Sequence, residues 1–226
     1  MLLFLASYPR SGNTFLRIIL NEIFNLPSVD IHGAQAERAF IENKTIFKAF
    51  GGLTHELEPD DIIDEAKKSH NLFLIKTHER PKSDDPAIYL VRDGRSSIIS
   101  YYHYIRDVEQ RHCSLQEVIT GQVYGGSWSE HIYDWSPESR KRTLLVRFEN
   151  LAKNPAEEIE RISQFLSMNP QSKCISSFEY LKSAFPNFFR SGNDEKNIRE
   201  LTESGLEELF WRWHTPMMVR MGYSVS

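Results

Sequence analysis

The stretch Met1-Leu2-Leu3-Phe4-Leu5-Ala6-Ser7-Tyr8-Pro9-Arg10-Ser11-Gly12-Asn13-Thr14-Phe15-Leu16 decides the fold. Its start, Met1 to Ser7, is an apolar run without alternation, as in a strand covered on both faces. Pro9 to Gly12 is a turn. Asn13 or Thr14 can cap a helix that continues to about Asn25, with Phe15, Leu16, Ile19, Leu20 and Ile23 on one face. A strand, a tight turn and a helix N-terminus form an anion cradle, because the first amides of a helix lack partners and carry its positive dipole end. Laid on the nucleotide loop G-x-x-x-x-G-K-[ST], Gly12 takes the second glycine and Thr14 the final hydroxyl. Ser7 replaces the first glycine and Asn13 the lysine, so the nearest cation is Arg10, within the turn.

The same alternation recurs downstream. Leu72 to Lys76 reads as a strand ending in Thr77-His78, and Ala87 to Val91 as another, ending in Arg92-Asp93-Gly94-Arg95. A helix follows from about Ser96 to Arg106, and Thr143 to Phe148 is a fourth strand. Pro59 to Lys68 is a short helix whose end charges complement its dipole. Asn154-Pro155-Ala156-Glu157 opens another helix, with a capping Asn, Pro at the first position and Glu at the third. Thr202 to about Met221 reads as a last helix, kinked before Pro216. Residues 28–58 carry no clear period, and residues 107–142 suggest loops and short helices. The expectation is an α/β fold: one domain over residues 1–226, a mainly parallel central sheet flanked by helices, and a P-loop-like nucleotide-binding core. Ligands of such sheets sit at the carboxyl ends of the strands. Topology alone therefore places the chemistry at Tyr8–Thr14, Lys76–His78, Arg92–Ser100 and Phe148.

Composition narrows the partners. The 226 residues are 40% hydrophobic and 26% charged, with net charge −4. That excludes the basic coat of a non-specific nucleic-acid binder but not a local cationic pocket. Two cysteines, Cys113 and Cys174, cannot build a paired-cysteine metal site or a disulfide-rich scaffold and read as free thiols of a reducing compartment, with a single disulfide as the alternative. No apolar run approaches the ~18 residues of a membrane span. The apolar start lacks the basic flank of a signal peptide, so the expected location is cytoplasmic.

Two further sites carry chemistry. Lys76 and His78 share one side of a strand end, because side chains alternate with period two. This places a cation beside the usual general base at neutral pH. Arg92-Asp93-Gly94-Arg95-Ser96 offers a second anion cradle, and Ser100 lies one helical turn beyond Ser96. Two cradles flanking a Lys/His pair suit a ligand with phosphates at two places, next to a hydroxyl to be activated.

In these residues the chain resembles sulfotransferases that use 3′-phosphoadenosine 5′-phosphosulfate (PAPS), the cytosolic type and its bacterial relatives. Tyr8-Pro9-Arg10-Ser11-Gly12-Asn13-Thr14-Phe15 resembles the family's Y-P-K-S-G-T-T-W loop for the 5′-phosphosulfate. Tyr89-Leu90-Val91-Arg92, continued through Ser100-Tyr101-Tyr102, resembles its 3′-phosphate motif. Leu74-Ile75-Lys76-Thr77-His78 resembles the segment with the catalytic histidine, and Phe148-Glu149-Asn150-Leu151 with Asn154-Pro155 resembles Y-E-D-L…N-P. The resemblance implies catalytic roles for His78 as base and for Lys76 and Arg10 as charge stabilisers. It implies a 5′ cradle of Arg10, Ser11, Gly12, Asn13, Thr14 and Phe15, and a 3′-phosphate site of Arg92 and Ser100. Phe148, Ser176 and Phe178 would line the adenine, and Arg190, Ser191 and Gly192 resemble the late F-x-R-K-G segment that returns to the 3′-phosphate. The co-substrate implied is PAPS, with 3′-phosphoadenosine 5′-phosphate (PAP) as product and no metal.

The late segment departs from the family. After Gly192 come Asn193-Asp194-Glu195-Lys196-Asn197, where the family continues toward G-x-W-K. An adenine-stacking aromatic is expected among Phe40, Phe47 and Phe50. The acceptor implied is a hydroxyl or amine of a small molecule or a glycan, facing variable segments that also hold His103 and His131. Thr202 and Glu207 match the family's C-terminal dimer signature in part, which brings a homodimer into view. The competing readings are a P-loop small-molecule kinase, against which Asn13 stands, and a non-catalytic nucleotide binder, against which Lys76 and His78 stand.

Overall fold

Six strands form one parallel sheet in the computed structural model, which describes residues 1–33, 44–172, 180, 181, 183 and 194–224. The strands are β1 (Leu2–Ser7), β2 (Ser28–Asp30), β3 (Gly52–Leu53), β4 (Phe73–Thr77), β5 (Ala87–Val91) and β6 (Thr143–Arg147), in the order β3-β2-β4-β1-β5-β6. Every neighbouring pair is parallel, so the expected mainly parallel sheet is parallel throughout among the described residues. The apolar run at the start becomes the central strand. β1 pairs with β4 through Leu5↔Lys76 and Ala6↔Thr77, and with β5 through Ala6↔Tyr89 and Ser7↔Leu90. Both faces of β1 are buried. Leu3 and Leu5 join one core cluster and Leu2, Phe4 and Ala6 the other, which is why no alternation is visible in the sequence.

On the Leu3/Leu5 face lie α1 (Asn13–Phe24), α2 (Lys44–Ala49), α7 (Phe148–Lys153) and α8 (Pro155–Leu166). The opposite face carries α3 (Pro59–Lys68), α4 (Gly94–Asp107), α5 (Leu115–Thr120), α6 (Trp128–Trp135), α9 (Asp194–Glu203) and α10 (Glu207–Arg220). Among the described residues no helix is long and apolar enough to cross a membrane.

Several expectations are corrected. Gly12 stands at the N-cap of α1, and Asn13 is its first residue; no side chain caps this end. The helix after Arg92 begins at Gly94, capped by Asp93, whose carboxylate accepts from the Arg95 amide. Asn154 makes no capping bond to α8. Phe148 opens a short helix instead of closing β6. The expected C-terminal helix is two helices, because Gly205, with φ +71°, takes the left-handed conformation that ends α9. The unreadable stretch 28–58 supplies β2, α2 and β3. Their elements of two to six residues are too short to show a period.

Candidate functional site

The sheet order puts β1 between β4 and β5, so the turn after β1 touches the carboxyl ends of both neighbours. That turn is tightly constructed. Arg10 has φ +65° and Gly12 φ +98°, backbone states that ordinary residues rarely adopt. Phe148 lies against Gly12, where an added Cβ would overlap Cδ2 and stand 2.8 Å from Cε2. Asn13 turns its side chain back, donating from Nδ2 to the Leu5 carbonyl at 3.0 Å and to Ser7 Oγ at 3.1 Å. It locks helix to strand where a nucleotide-triphosphate loop would extend a lysine. Asn13 thus offers the cleft its amide and not its side chain. Ser11 is buried, with Oγ 3.5 Å from Ser97 Oγ. Thr14 is half-buried, and the amides of Phe15 and Leu16 donate to the Gly12 carbonyl at 2.9 and 3.2 Å, which leaves those of Asn13 and Thr14 at the head of the helix.

On the β4 side, His78 Nδ1 is 2.7 Å from the Ser7 carbonyl. A carbonyl only accepts, so Nδ1 carries the proton and Nε2 keeps its lone pair. Burial holds this imidazole well below the usual histidine range, helped by the positive charge of Lys76 and opposed by the Ser7 carbonyl and Asp30; His131 adds a small downward push. His78 is therefore neutral at pH 7. Its main chain is fixed by one face of α6. His131 Nε2 donates to the His78 carbonyl at 3.1 Å, and Trp135 Nε1 to the Glu79 carbonyl at 2.8 Å. The bond to that carbonyl assigns the His131 proton to Nε2, so its Nδ1 accepts from the Tyr89 hydroxyl at 2.8 Å. His131 is a core brace and not an acceptor-facing group. Lys76 Nζ is 2.6 Å from Asp30 Oδ2, its partner across β2 and β4; the side chains are 18% and 2% exposed. Burial alone would raise the Asp30 carboxyl, but the Lys76 ammonium overrides it and holds the group ionised.

On the β5 side, Arg92 lies with its guanidinium 4.6 Å from the centre of the Phe148 ring. Its Nη1 donates to the Arg10 carbonyl at 3.3 Å, and Trp128 Nε1, at the start of α6, donates to the Arg92 carbonyl at 3.2 Å. Arg10 reaches across, its Nε donating to Ser100 Oγ at 3.3 Å and its guanidinium 5.0 Å from the Tyr104 ring centre. Thus Arg10, Ser100, Arg92 and the cradle of α1 come together as expected, with Lys76 and His78 at the other flank of one turn. A ligand that is anionic at two separated points fits this donor set.

Other expectations are redirected. Phe15 and Phe148 are core residues, edge to face at 6.4 Å, and Phe148 is 3% exposed. Phe148 props the turn and backs Arg92 and offers no open apolar platform. Arg95 pairs with Asp93 (Nη2 to Oδ2, 2.7 Å) and lies over Trp211. Phe50 is buried beneath the Arg17 guanidinium at 4.0 Å, and Phe47 packs on it. Ser176, Phe178, Arg190, Ser191, Gly192 and Phe40 lie outside the described residues. His103 pairs with Glu200 on α9 at 2.6 Å.

Sequence reasoning missed Asp30 and the bracing roles of Trp128, His131 and Trp135. Spacing at 128, 131 and 135 does mark one helix face, yet nothing in it says that the face binds carbonyls. Asp30 ends a three-residue strand, which leaves no pattern to read.

The family model described as "Sulfotransferase domain" matches residues 2–220. Sulfotransferase 1B1 of Canis lupus familiaris is 28% identical over 201 residues, covering 79% of this chain and 65% of that protein. Sulfotransferase 1A1 of the same species is 27% identical over 196 residues, covering 80% of this chain and 66% of that protein. The chain thus spans just under two thirds of the length of these curated relatives. The crystal structure of mouse sulfotransferase SULT7A1 complexed with PAP shares the fold, with TM-score 0.67, 22% identity and coverage of 95% of this chain and 84% of that one. So does the sulfotransferase domain from the curacin biosynthetic pathway, with TM-score 0.57, 16% identity and coverage of 99% and 98%.

Proposed function

The chain belongs to the sulfotransferase family, and on that premise we propose that it moves the sulfuryl group of PAPS to a hydroxyl or amine of an acceptor. The observation that carries this reading is the state of His78: Nδ1–H is committed to the Ser7 carbonyl, and Nε2 is left neutral as a base. In the proposed step the acceptor oxygen or nitrogen bonds to sulfur while the bond from sulfur to the bridging oxygen breaks. His78 Nε2 takes the acceptor proton, and PAP departs with the bridging oxygen. Lys76 and Arg10 stand on either side of the turn, where fixed cations stabilise charge on the transferring group and on the leaving oxygen. The cradle of Ser11 to Thr14 would hold the 5′ side, and Arg92 with Ser100 the 3′-phosphate. The solved relative complexed with PAP supports this choice of nucleotide. A small-molecule acceptor is supported by a second structure of the fold, retinol dehydratase in complex with androsterone and inactive cofactor PAP (TM-score 0.70, 15% identity).

Two measurements test the proposal. PAP should raise the melting temperature where ATP with Mg²⁺ does not; the reverse result would point to the kinase reading. A panel of alcohols, phenols, amines and sugars, assayed with labelled PAPS, should reveal an acceptor. His78→Ala should then nearly abolish transfer while binding PAP as the parent does, and retained transfer would remove His78 from the role of base.

A further inference from the structure

Arg92, the residue proposed to receive the 3′-phosphate, already faces a carboxylate from its own chain. Asp194, the first residue of α9, places Oδ1 2.8 Å from Arg92 Nη2 and 3.2 Å from Nε. An arginine grips an anion best with two parallel N–H groups on one edge of its plane, and Asp194 holds the Nε/Nη2 edge. The Arg10 carbonyl holds a third N–H through Nη1, and the Phe148 ring lies against the plane. The Arg92 side chain is only 7% exposed, whereas that of Asp194 is 28% exposed. Of the two, Asp194 is the one that can withdraw. Ser100, the second group proposed for the phosphate, is likewise engaged by Arg10.

We infer that Asp194 is a specificity-determining residue: it competes with the 3′-phosphate for Arg92 and so sets how strongly the protein prefers PAP to a nucleotide without that group. The inference rests on the PAPS reading above. A ligand taking the Nε/Nη2 edge must take it from Asp194, and a carboxylate left beside two phosphate charges repels them. The rest of α9 need not move. Asn197 Nδ2 donates to the Ser96 carbonyl at 3.3 Å, and Glu200 Oε1 pairs with His103 at 2.6 Å, so α9 stays docked on α4 by contacts independent of Asp194.

The test is calorimetric binding of PAP and of AMP, which lacks the 3′-phosphate, to the parent and to two variants. Asp194→Asn should tighten PAP by roughly tenfold or more and leave AMP unchanged, so the PAP-to-AMP preference rises. Glu200→Gln loosens the same helix through His103 without touching Arg92 and should leave the preference as in the parent. Unchanged or weaker PAP binding by Asp194→Asn overturns the inference; weaker binding would make Asp194 a support that orients Arg92. An equal gain in Glu200→Gln also overturns it, since the effect would then be loosening of α9. A parent that binds PAP no better than AMP would instead overturn the PAPS reading.

Discussion

Gly12→Ala probes the turn on which both halves of the site depend. At φ +98° and ψ +18° an alanine sits in left-handed backbone, at about 1–2 kcal/mol. The new Cβ would also overlap Phe148 Cδ2 and stand 2.8 Å from Cε2, inside the 3.0 Å that real Cβ contacts essentially never breach. Phe148 is buried and cannot swing away, so the overlap adds an overpacking cost of about 1–3 kcal/mol. The sum, roughly 2–5 kcal/mol, should lower the melting temperature by about 4–20 °C for a chain of this size. The two contributions can be separated. Phe148→Ala costs about 3–5 kcal/mol by itself, but in that background Gly12→Ala should cost only its backbone share. Urea unfolding of the parent, both single variants and the double variant should therefore give a coupling energy of about 1–3 kcal/mol, well beyond the ~0.5 kcal/mol scatter of independent sites. Gly12→Ala should also weaken PAP, because the displaced turn carries the first amides of α1. Additive stabilities in the four-protein cycle would refute the contact between Phe148 and the turn.

Other consequences follow from the same geometry. Trp128→Phe removes the donor to the Arg92 carbonyl and should cost about 1–3 kcal/mol while weakening PAP; unaltered PAP affinity would detach α6 from the nucleotide site. His131→Leu orphans the His78 carbonyl and the Tyr89 hydroxyl together, and should depress transfer far more than PAP affinity, as read by steady-state kinetics beside calorimetry. Burial pushes His131 and His214 down to about 4 and His78 well below 6.5. Unfolded, each would take a proton near pH 6.5, so the folded state binds fewer protons. Stability is then complete above about pH 6.5 and falls as pH drops toward 4, by on the order of 3 kcal/mol for each of the first two. Urea midpoints between pH 7.5 and 4.5 check this, and a flat profile would contradict it. The depressed His78 also predicts that the acid limb of the transfer rate lies below pH 6.5.

Much of this site was legible in the chain because its backbone parts are local. The turn Tyr8 to Gly12 lies between a visible strand and a visible helix, and Arg92 with Ser100 sits eight positions apart along one strand and helix. Lys76 and His78 share a strand end. What could not be read is long-range pairing. Asp30 meets Lys76 only because β2 docks beside β4, and a three-residue strand announces neither its existence nor its register. His131 and Trp135 lie in a stretch that reads only as loops and short helices, and their ring N–H groups find carbonyls 53 and 56 positions away. Phe148 reads as the last residue of a strand that in fact ends at Arg147, and its burial depends on Gly12 lacking a side chain.

Those hidden pairings change how the charge of the cleft works. A net charge of −4 with clustered arginine and lysine suggests a bare cationic pocket that focuses its field on an anion. Yet Lys76 meets Asp30, Arg92 meets Asp194 and Arg95 meets Asp93. These pairs differ in how far they are sealed. Asp30 and Asp93 are both buried; removing Asp93 would strand the buried Arg95, at about 3–5 kcal/mol, and removing Asp30 would leave the partly exposed Lys76 unpaired at a smaller cost. They act as fixed parts that hold Lys76 and Arg95 in place. Asp194 alone of the three carboxylates is substantially exposed. The long-range field of the cleft is therefore weaker than its cations suggest, and affinity must come from short-range exchange of one carboxylate for a phosphate. Salt separates the two descriptions. A bare pocket would lose PAP steeply as ionic strength rises, whereas exchange at a nearly buried guanidinium is screened far less. A shallower loss of PAP affinity with salt in the parent than in Asp194→Asn fits exchange, and equal or steeper loss in the parent would favour the bare pocket.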